Sequence, residues 1–183
     1  MHAFAFEKLN VPALVARWRA VIQDENIPDF CELDEFGETE VNPPPSFKHQ
    51  QWVAAIGRRM ETQLGGESGS YALATAIGVR FPDVCWAKSF SELARDGGSD
   101  PLTKMPPICV EVLSPGNRRK KIESTVAAYL TAGVEEVVLV ELDGRVRWFD
   151  RSGERPNSQF GLTLGTEMGT GTEMGTDLFS GEG

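Results

Sequence analysis

The sequence predicts an α/β fold, a mixed central β-sheet flanked by helices, and three stretches carry that expectation. "PICVEVLSP" is continuously apolar enough for a strand buried on both faces; "RKKIESTVAAYLTAG" follows as a helix stopped by Gly133; "EVVLVEL" returns as a second strand. Strand, helix, strand in that order implies a right-handed crossover between parallel neighbours.

The other elements follow along the chain. In "VPALVARWRAVIQ", Leu14, Trp18, Val21 and Ile22 recur at helical spacing with Pro12 in the first turn, so this is an amphipathic helix that packs on the core. "FCELDEFGETEV" reads as strand, turn around Gly37, and strand, before "NPPP" ends regular structure. Ser46 caps the long helix "FKHQQWVAAIGRRMETQL", whose Val53, Ile56, Met60 and Leu64 form the core stripe and whose stop is Gly65-Gly66. "YALATAIGVRFPDVCWA" contains two extended segments, with "GVR" a turn or entry and Asp83 at the mouth of the second. "SFSELARDGGSDPLTKMPP" reads as a short helix and then a mobile surface loop. "EVVLVEL" and "RVRWFD" form a hairpin turning at Asp143-Gly144. Residues 1–160 are expected to form one domain. Residues 161–183, with "GTEMGT" twice in tandem, form a Gly/Thr-rich tail without evident chemistry.

At 183 residues and 40% hydrophobic, the chain can bury a sizeable single core. The apolar run in "EVVLV" is too short to span a bilayer, and "MHAFAFEKLN" lacks the marks of a signal peptide, so the expectation is a cytoplasmic protein without membrane contact. Cys31, Cys85 and Cys109 are odd in number and widely spaced, which argues against a zinc site or a disulfide framework. A net charge of −9 argues against a protein that coats nucleic acid non-specifically, but leaves room for an enzyme that meets it at one cleft. The charge is uneven. Eight acids and no Lys or Arg lie between Ala20 and Phe47, whereas Arg118, Arg119, Lys120 and Lys121 are consecutive. Cations at a helix start oppose the macrodipole, an arrangement that suits anion binding.

Asp83 and Glu111 stand where apolar strands begin and end, positions from which side chains reach a cleft. Converging there with backbone carbonyls, they would supply the hard oxygen ligands of Mg²⁺ or Mn²⁺, and a nearby lysine would orient an attacking water. Spacing alone favours the plainer account, in which Asp83 caps a turn and Glu111 pairs with an arginine.

"VNPPPSFKHQ", "ATAIGVRFPDVCWA" and "ICVEVLSPGNRRKKIESTVAAYLTAGVEEVVLVELDGRVRWFD" together resemble the Uma-two family, restriction-endonuclease-like proteins common in bacteria, across roughly residues 25–150. The resemblance implies the PD-(D/E)XK nuclease fold and a metal-dependent endonuclease acting on nucleic acid, with DNA as the expected polymer. Pro82-Asp83 resembles the "PD" half-motif and Glu111-Val112-Leu113 the "(D/E)XK" half-motif, with Leu113 at the lysine position. The implied metal ligands are Asp83, Glu111 and the carbonyl of Val112, with Mg or Mn as the ion. Family members that lack the strand lysine supply one from the next helix, at a position held here by Thr125. Lys121, one helical turn earlier, is the expected substitute, with Arg118, Arg119 and Lys120 as the other candidates. Glu32 resembles the acid that opens the first family strand and is a candidate third carboxylate. His49 resembles a frequent family histidine, for which a capping or packing role carries more weight. Arg80 is expected to pair structurally, with Glu111 among its partners, or to steady phosphate. Tyr129, Trp86, Trp148 and Phe149 read as core or edge residues. The competing function is a catalytically impaired domain that binds nucleic acid or protein, followed by a scaffold whose acidic segment docks a basic protein. A sheet edge offers a homodimer surface by analogy with double-strand-cutting enzymes.

Overall fold

A computed structural model describes residues 7–28, 30–98, 100–114 and 119–165. Of the sequence candidates, Arg118 and the tandem "GTEMGT" beyond Gly165 lie outside these residues. Among the described residues no helix is long and apolar enough to cross a membrane.

Helix α1 (Val11–Val21) starts where the Asn10 side chain accepts a hydrogen bond from the Ala13 amide, with Pro12 in the first turn, and it buries Leu14, Trp18 and Val21. These residues pack on a four-stranded antiparallel sheet of β1 (Cys31–Leu33), β2 (Thr39–Val41), β4 (Leu73–Thr75) and β5 (Gly78–Arg80), in the order β2-β1-β5-β4. The larger sheet contains β3 (Glu67–Gly69), β6 (Val84–Ala87), β7 (Ile108–Leu113), β8 (Glu136–Glu141), β9 (Val146–Asp150) and β10 (Gly153–Arg155), in the order β10-β9-β8-β7-β6-β3. Only the β7–β8 pairing is parallel, and α4 (Arg119–Ala132) crosses between those two strands. Strand, helix and strand therefore stand as the sequence predicts, and the sheet is mixed. The β1–β2 hairpin stands where the sequence places strand, turn and strand, but the separate sheet it forms with β4 and β5 was not anticipated, and "GVR" is the strand β5 rather than a turn.

Period-two alternation assigns each strand residue of the larger sheet to a face. Ile108, Val110 and Val112 of β7 join Val84 and Trp86 against α2 (Phe47–Leu64), whose Trp52, Ile56 and Met60 are buried at intervals of four. Trp52 takes the place in the stripe that periodicity gave to Val53. The opposite face carries Cys85, Cys109, Val137 and Leu139, covered by Val126 and Tyr129 of α4 and by Phe90 at the start of α3 (Phe90–Gly97). All three cysteines are buried free thiols. The segment after α3 is not a loose surface loop: Leu102 pairs with Leu73, and both Leu102 and Met105 are buried in this second layer. Its Gly, Ser and Asp composition hid two anchoring side chains.

Gly78 is required where β5 meets β1. Its φ is +119°, and a Cβ there would stand 1.9 Å from the Leu33 carbonyl oxygen. Gly78→Ala is expected to cost about 3 kcal/mol or more, since neither the backbone angle nor the strand pairing can yield, and chemical denaturation measures it.

Glu136 opens β8 only 2% exposed and accepts bonds from the Ser158 hydroxyl and the Gln159 amide, both at 2.7 Å. Beyond that tie Leu162 is buried against the α2 side of the sheet, and Thr163 exchanges bonds with Gln63. Burial raises the Glu136 pKa above the ordinary value, against the opposing pull of those bonds. The folded chain therefore holds this proton more tightly than the unfolded chain, and stability is lost as pH rises from the ordinary value through the folded one. Glu136→Gln removes that titration. Denaturant melts at pH 4 and pH 7 should show the variant gaining on the wild type at the higher pH.

Candidate active site

Strands β6 and β7 run antiparallel with Val84 opposite Val110. One step further in the same register, Asp83 faces Glu111 just where the pairing ends. Pro82 has no amide hydrogen to continue the ladder, and its carbonyl accepts the Ser70 hydroxyl at 2.8 Å. The Asp83 side chain completes the interrupted bonding: its Oδ2 accepts from the Val112 amide at 2.7 Å. The same oxygen lies 3.2 Å from Nε2 of His49, in the first turn of α2.

Glu111 projects to the α4 face, where the Tyr129 hydroxyl donates to its Oε1 at 2.9 Å. Burial, and then the charge of Asp83, push the Glu111 pKa well above the ordinary carboxylate range, while the tyrosine bond pulls the other way. The His49 pKa is raised by its bond to Asp83, against burial, with the Val112 backbone adding to the rise. Its Nδ1 is buried without a hydrogen-bond partner among the described residues.

A second charged layer sits beside this pair. Arg80, 7% exposed at the end of β5, donates from one nitrogen to Glu32 at 3.0 Å and to Glu40, and from another to the Ile77 carbonyl at 2.9 Å. Glu32 also accepts from the Phe81 amide at 2.8 Å. Arg80 thus pairs across the smaller sheet, with Glu32 of β1 and Glu40 of β2, and not with Glu111. Glu32 is committed to that pairing, and among the described residues no three His, Cys, Asp or Glu side chains are clustered as a ready metal site. Its charge nonetheless contributes to the raised Glu111 pKa.

Lys121 lies in the first turns of α4, exposed, with Nζ 4.0 Å from Glu40. Lys121, Thr125 and Tyr129 follow one another at intervals of four along one stripe of the helix, and all three line the cleft that also holds Asp83, Glu111 and His49, about 1330 Å³ in volume. The Thr125 hydroxyl donates to the Lys121 carbonyl at 3.0 Å. Arg119 is turned away, paired with Glu123 at 2.8 Å beside a different groove, and Lys120 is exposed.

Sequence reasoning placed Tyr129 in the core and gave its hydroxyl no task. The signal was present: a buried tyrosine needs a partner for its O–H, and this one falls two turns after Lys121 on the same stripe. The contact of His49 with Asp83 joins residues 34 positions apart, and only the fold reveals it.

Two of the cleft's carboxylate oxygens, Asp83 Oδ1 and Glu111 Oε2, carry no hydrogen bond among the described residues, and the Val112 main chain lies beside them. Hard oxygens on facing carboxylates are the donor set that small divalent cations take.

The family model of Uma2 (Uma-two), described as "Putative restriction endonuclease", matches residues 24–170. Among solved structures the chain is similar to a "putative nuclease belonging to DUF820" from Anabaena variabilis, at 18% identity over 76% of this chain and 88% of that one, with a TM-score of 0.49. No curated protein matches. With a match across well over half its length, bearing the facing Asp83 and Glu111, the chain belongs to the Uma2 family of restriction-endonuclease-like proteins.

Proposed function

We propose that the protein is a metal-dependent nuclease that hydrolyses phosphodiester bonds of DNA, with Asp83, Glu111 and the Val112 carbonyl as ligands for Mg²⁺ or Mn²⁺ and Lys121 as the catalytic cation. The observation that carries this reading is the register of β6 and β7: it sets two carboxylates face to face at one end of the sheet, with a lysine over the same cleft. The residues present fit such an ion, because Asp83 and Glu111 each have one oxygen held by protein hydrogen bonds and the other without a bond among the described residues, and hard carboxylate oxygens suit Mg²⁺ or Mn²⁺. When bound, the ion supplies polarisation of the phosphodiester and a lowered pKa for the attacking water.

The chain's own groups do the rest. Oδ2 of Asp83, held by the Val112 amide and His49, fixes that carboxylate so that Oδ1 is the oxygen left for coordination. Tyr129 does the same for Glu111 from the other side. Lys121 brings its ammonium group toward the attacked phosphate, where it steadies the water and the charge that develops. Glu32 acts one step removed, seating Arg80 and the Phe81 amide so that the chain enters Pro82-Asp83 at a fixed angle.

Titration calorimetry with Mn²⁺ tests the assignment, on wild type, Asp83→Ala and Glu111→Ala, alone and with a short oligonucleotide. The expected result is binding by the wild type and none by either variant. Silence from the wild type in both conditions overturns the metal site. Binding without cutting of any DNA assigns the domain to the non-catalytic reading that the threonine at position 125 raises.

A further inference from the structure

The cleft is acidic. Among the described residues, Glu32, Glu35, Glu40, Asp83 and Glu111 line it against two permanent cations, Arg80 and Lys121, and both stand beside Glu40. A duplex held by its phosphates needs a track of free Lys and Arg, and the described walls offer none. What they offer is aromatic surface. Phe30 and Phe81 line the cleft with their side chains 57% and 37% exposed.

Phe30 has a positive φ of 57°, the only such non-glycine residue among those described. A phenylalanine in left-handed backbone is strained, and here the strain brings no compensating burial, because the ring stays in solvent. The turn that imposes it is held by the Asn42 amide, which donates to the Phe30 carbonyl at 3.0 Å. Phe81 is fixed on both sides: its amide is bound by Glu32, and its ring packs on Trp18 with centroids 5.6 Å apart. It stands two residues before Asp83, at the entrance to the carboxylate pair.

We infer that Phe30 and Phe81 form a nucleobase-stacking platform, and that the polymer entering the cleft is single-stranded DNA. This rests on the nuclease reading for the identity of the site, and it narrows the substrate class. Unpaired bases expose π-faces that stack on aromatic rings regardless of sequence, whereas a duplex keeps those faces covered. A single strand also allows an acidic cleft to be entered base first, with the phosphate backbone meeting protein only near Lys121.

Fluorescence anisotropy in metal-free buffer tests this, with a labelled short single strand, its blunt duplex and an abasic strand of the same length. The wild type should bind the single strand more tightly than the duplex, and the abasic strand weakly. Phe30→Ala and Phe81→Ala should each weaken single-strand binding roughly 5- to 100-fold and leave the abasic strand unaffected, while Phe30→Tyr retains binding. Phe30→Gly should lose binding with no fall in melting temperature, a combination that misfolding cannot produce. Duplex binding as tight as single-strand binding, or unchanged single-strand affinity in both alanine variants, overturns the platform. So does a wild-type dimer that Phe30→Ala dissociates, which would assign the exposed ring to a contact between copies. The binding readouts do not depend on cutting, and cleavage assays on the same variants separate the two readings. If the phenylalanines govern single-strand affinity but no DNA is ever cleaved, the platform stands and the nuclease reading fails. Duplex cleavage indifferent to both phenylalanines does the reverse.

Discussion

Asp83→Ala is expected to abolish Mn²⁺ binding and to lower DNA cleavage by about a thousandfold or more, and Asp83→Asn to show the same loss with near wild-type stability. The rate figure follows from the several kcal/mol of charge stabilisation that a bound ion contributes, about 4 kcal/mol being a factor of a thousand. The two substitutions separate the carboxylate's two tasks. Oδ2 holds the amide of Val112, a residue only 4% exposed, and alanine leaves that buried donor without a partner at a cost of about 1–3 kcal/mol. Asparagine keeps an oxygen in reach of the amide and removes only the charge. Denaturant melts should therefore place Asp83→Asn close to wild type and Asp83→Ala below it, with calorimetry showing neither binds metal. An alanine variant that still cuts, or an asparagine variant that still binds Mn²⁺, contradicts the assignment. His49 reports on the same event: in Asp83→Ala its hydrogen bond to the carboxylate, the main cause of its raised pKa, disappears together with the charge, and its ring resonances should titrate at lower pH.

The parts of this fold legible in the sequence are those specified by local chemistry. Ser46 caps α2, Gly133 ends α4, and Gly144, with φ of 93°, turns the β8–β9 hairpin. The strands β7 and β8 announce themselves because both faces are buried, which makes their apolar character continuous. In the smaller sheet the β1–β2 hairpin was legible, but β4 and β5 are only three residues long, too short for alternation to register, and β5 opens on a glycine that reads as a turn. Asp83 and Glu111 could be picked out because each interrupts or bounds an apolar run, but their facing register depends on how β6 pairs with β7. The partners of Arg80 depend on the unanticipated sheet. With Glu32 and Glu40 directly opposite one another on β1 and β2, one arginine reaches both, which distance along the chain conceals.

Lys121→Ala should leave Mn²⁺ affinity unchanged while lowering kcat about 10²- to 10³-fold, the magnitude typical of losing one group aimed at developing charge. The split between binding and rate follows from the geometry. Lys121 touches neither Asp83 nor Glu111; its near neighbour is Glu40, at 4.0 Å. On the proposed mechanism the ammonium group would therefore contribute nothing to the metal ligands and would act only once a phosphate enters the cleft. Position 125 lies four residues, about 6 Å, further along α4, between Lys121 and the tyrosine that holds Glu111. A lysine there would start closer to the carboxylate pair than Lys121 does and would lie on the same stripe. Thr125→Lys should consequently restore cleavage in the Lys121→Ala background. The cost in stability is small, because Thr125 is only half-buried and its hydroxyl bonds merely to the carbonyl four residues before it. Restoration would place the cation's work one turn further along the same stripe of α4, with Lys121 its equivalent one turn earlier. If Lys121→Ala cuts as well as wild type, the basic cluster at the start of α4 has no part in the chemistry. If Thr125→Lys alone creates cutting where the wild type has none, the carboxylate pair is intact in a chain whose catalysis was lost with one side chain.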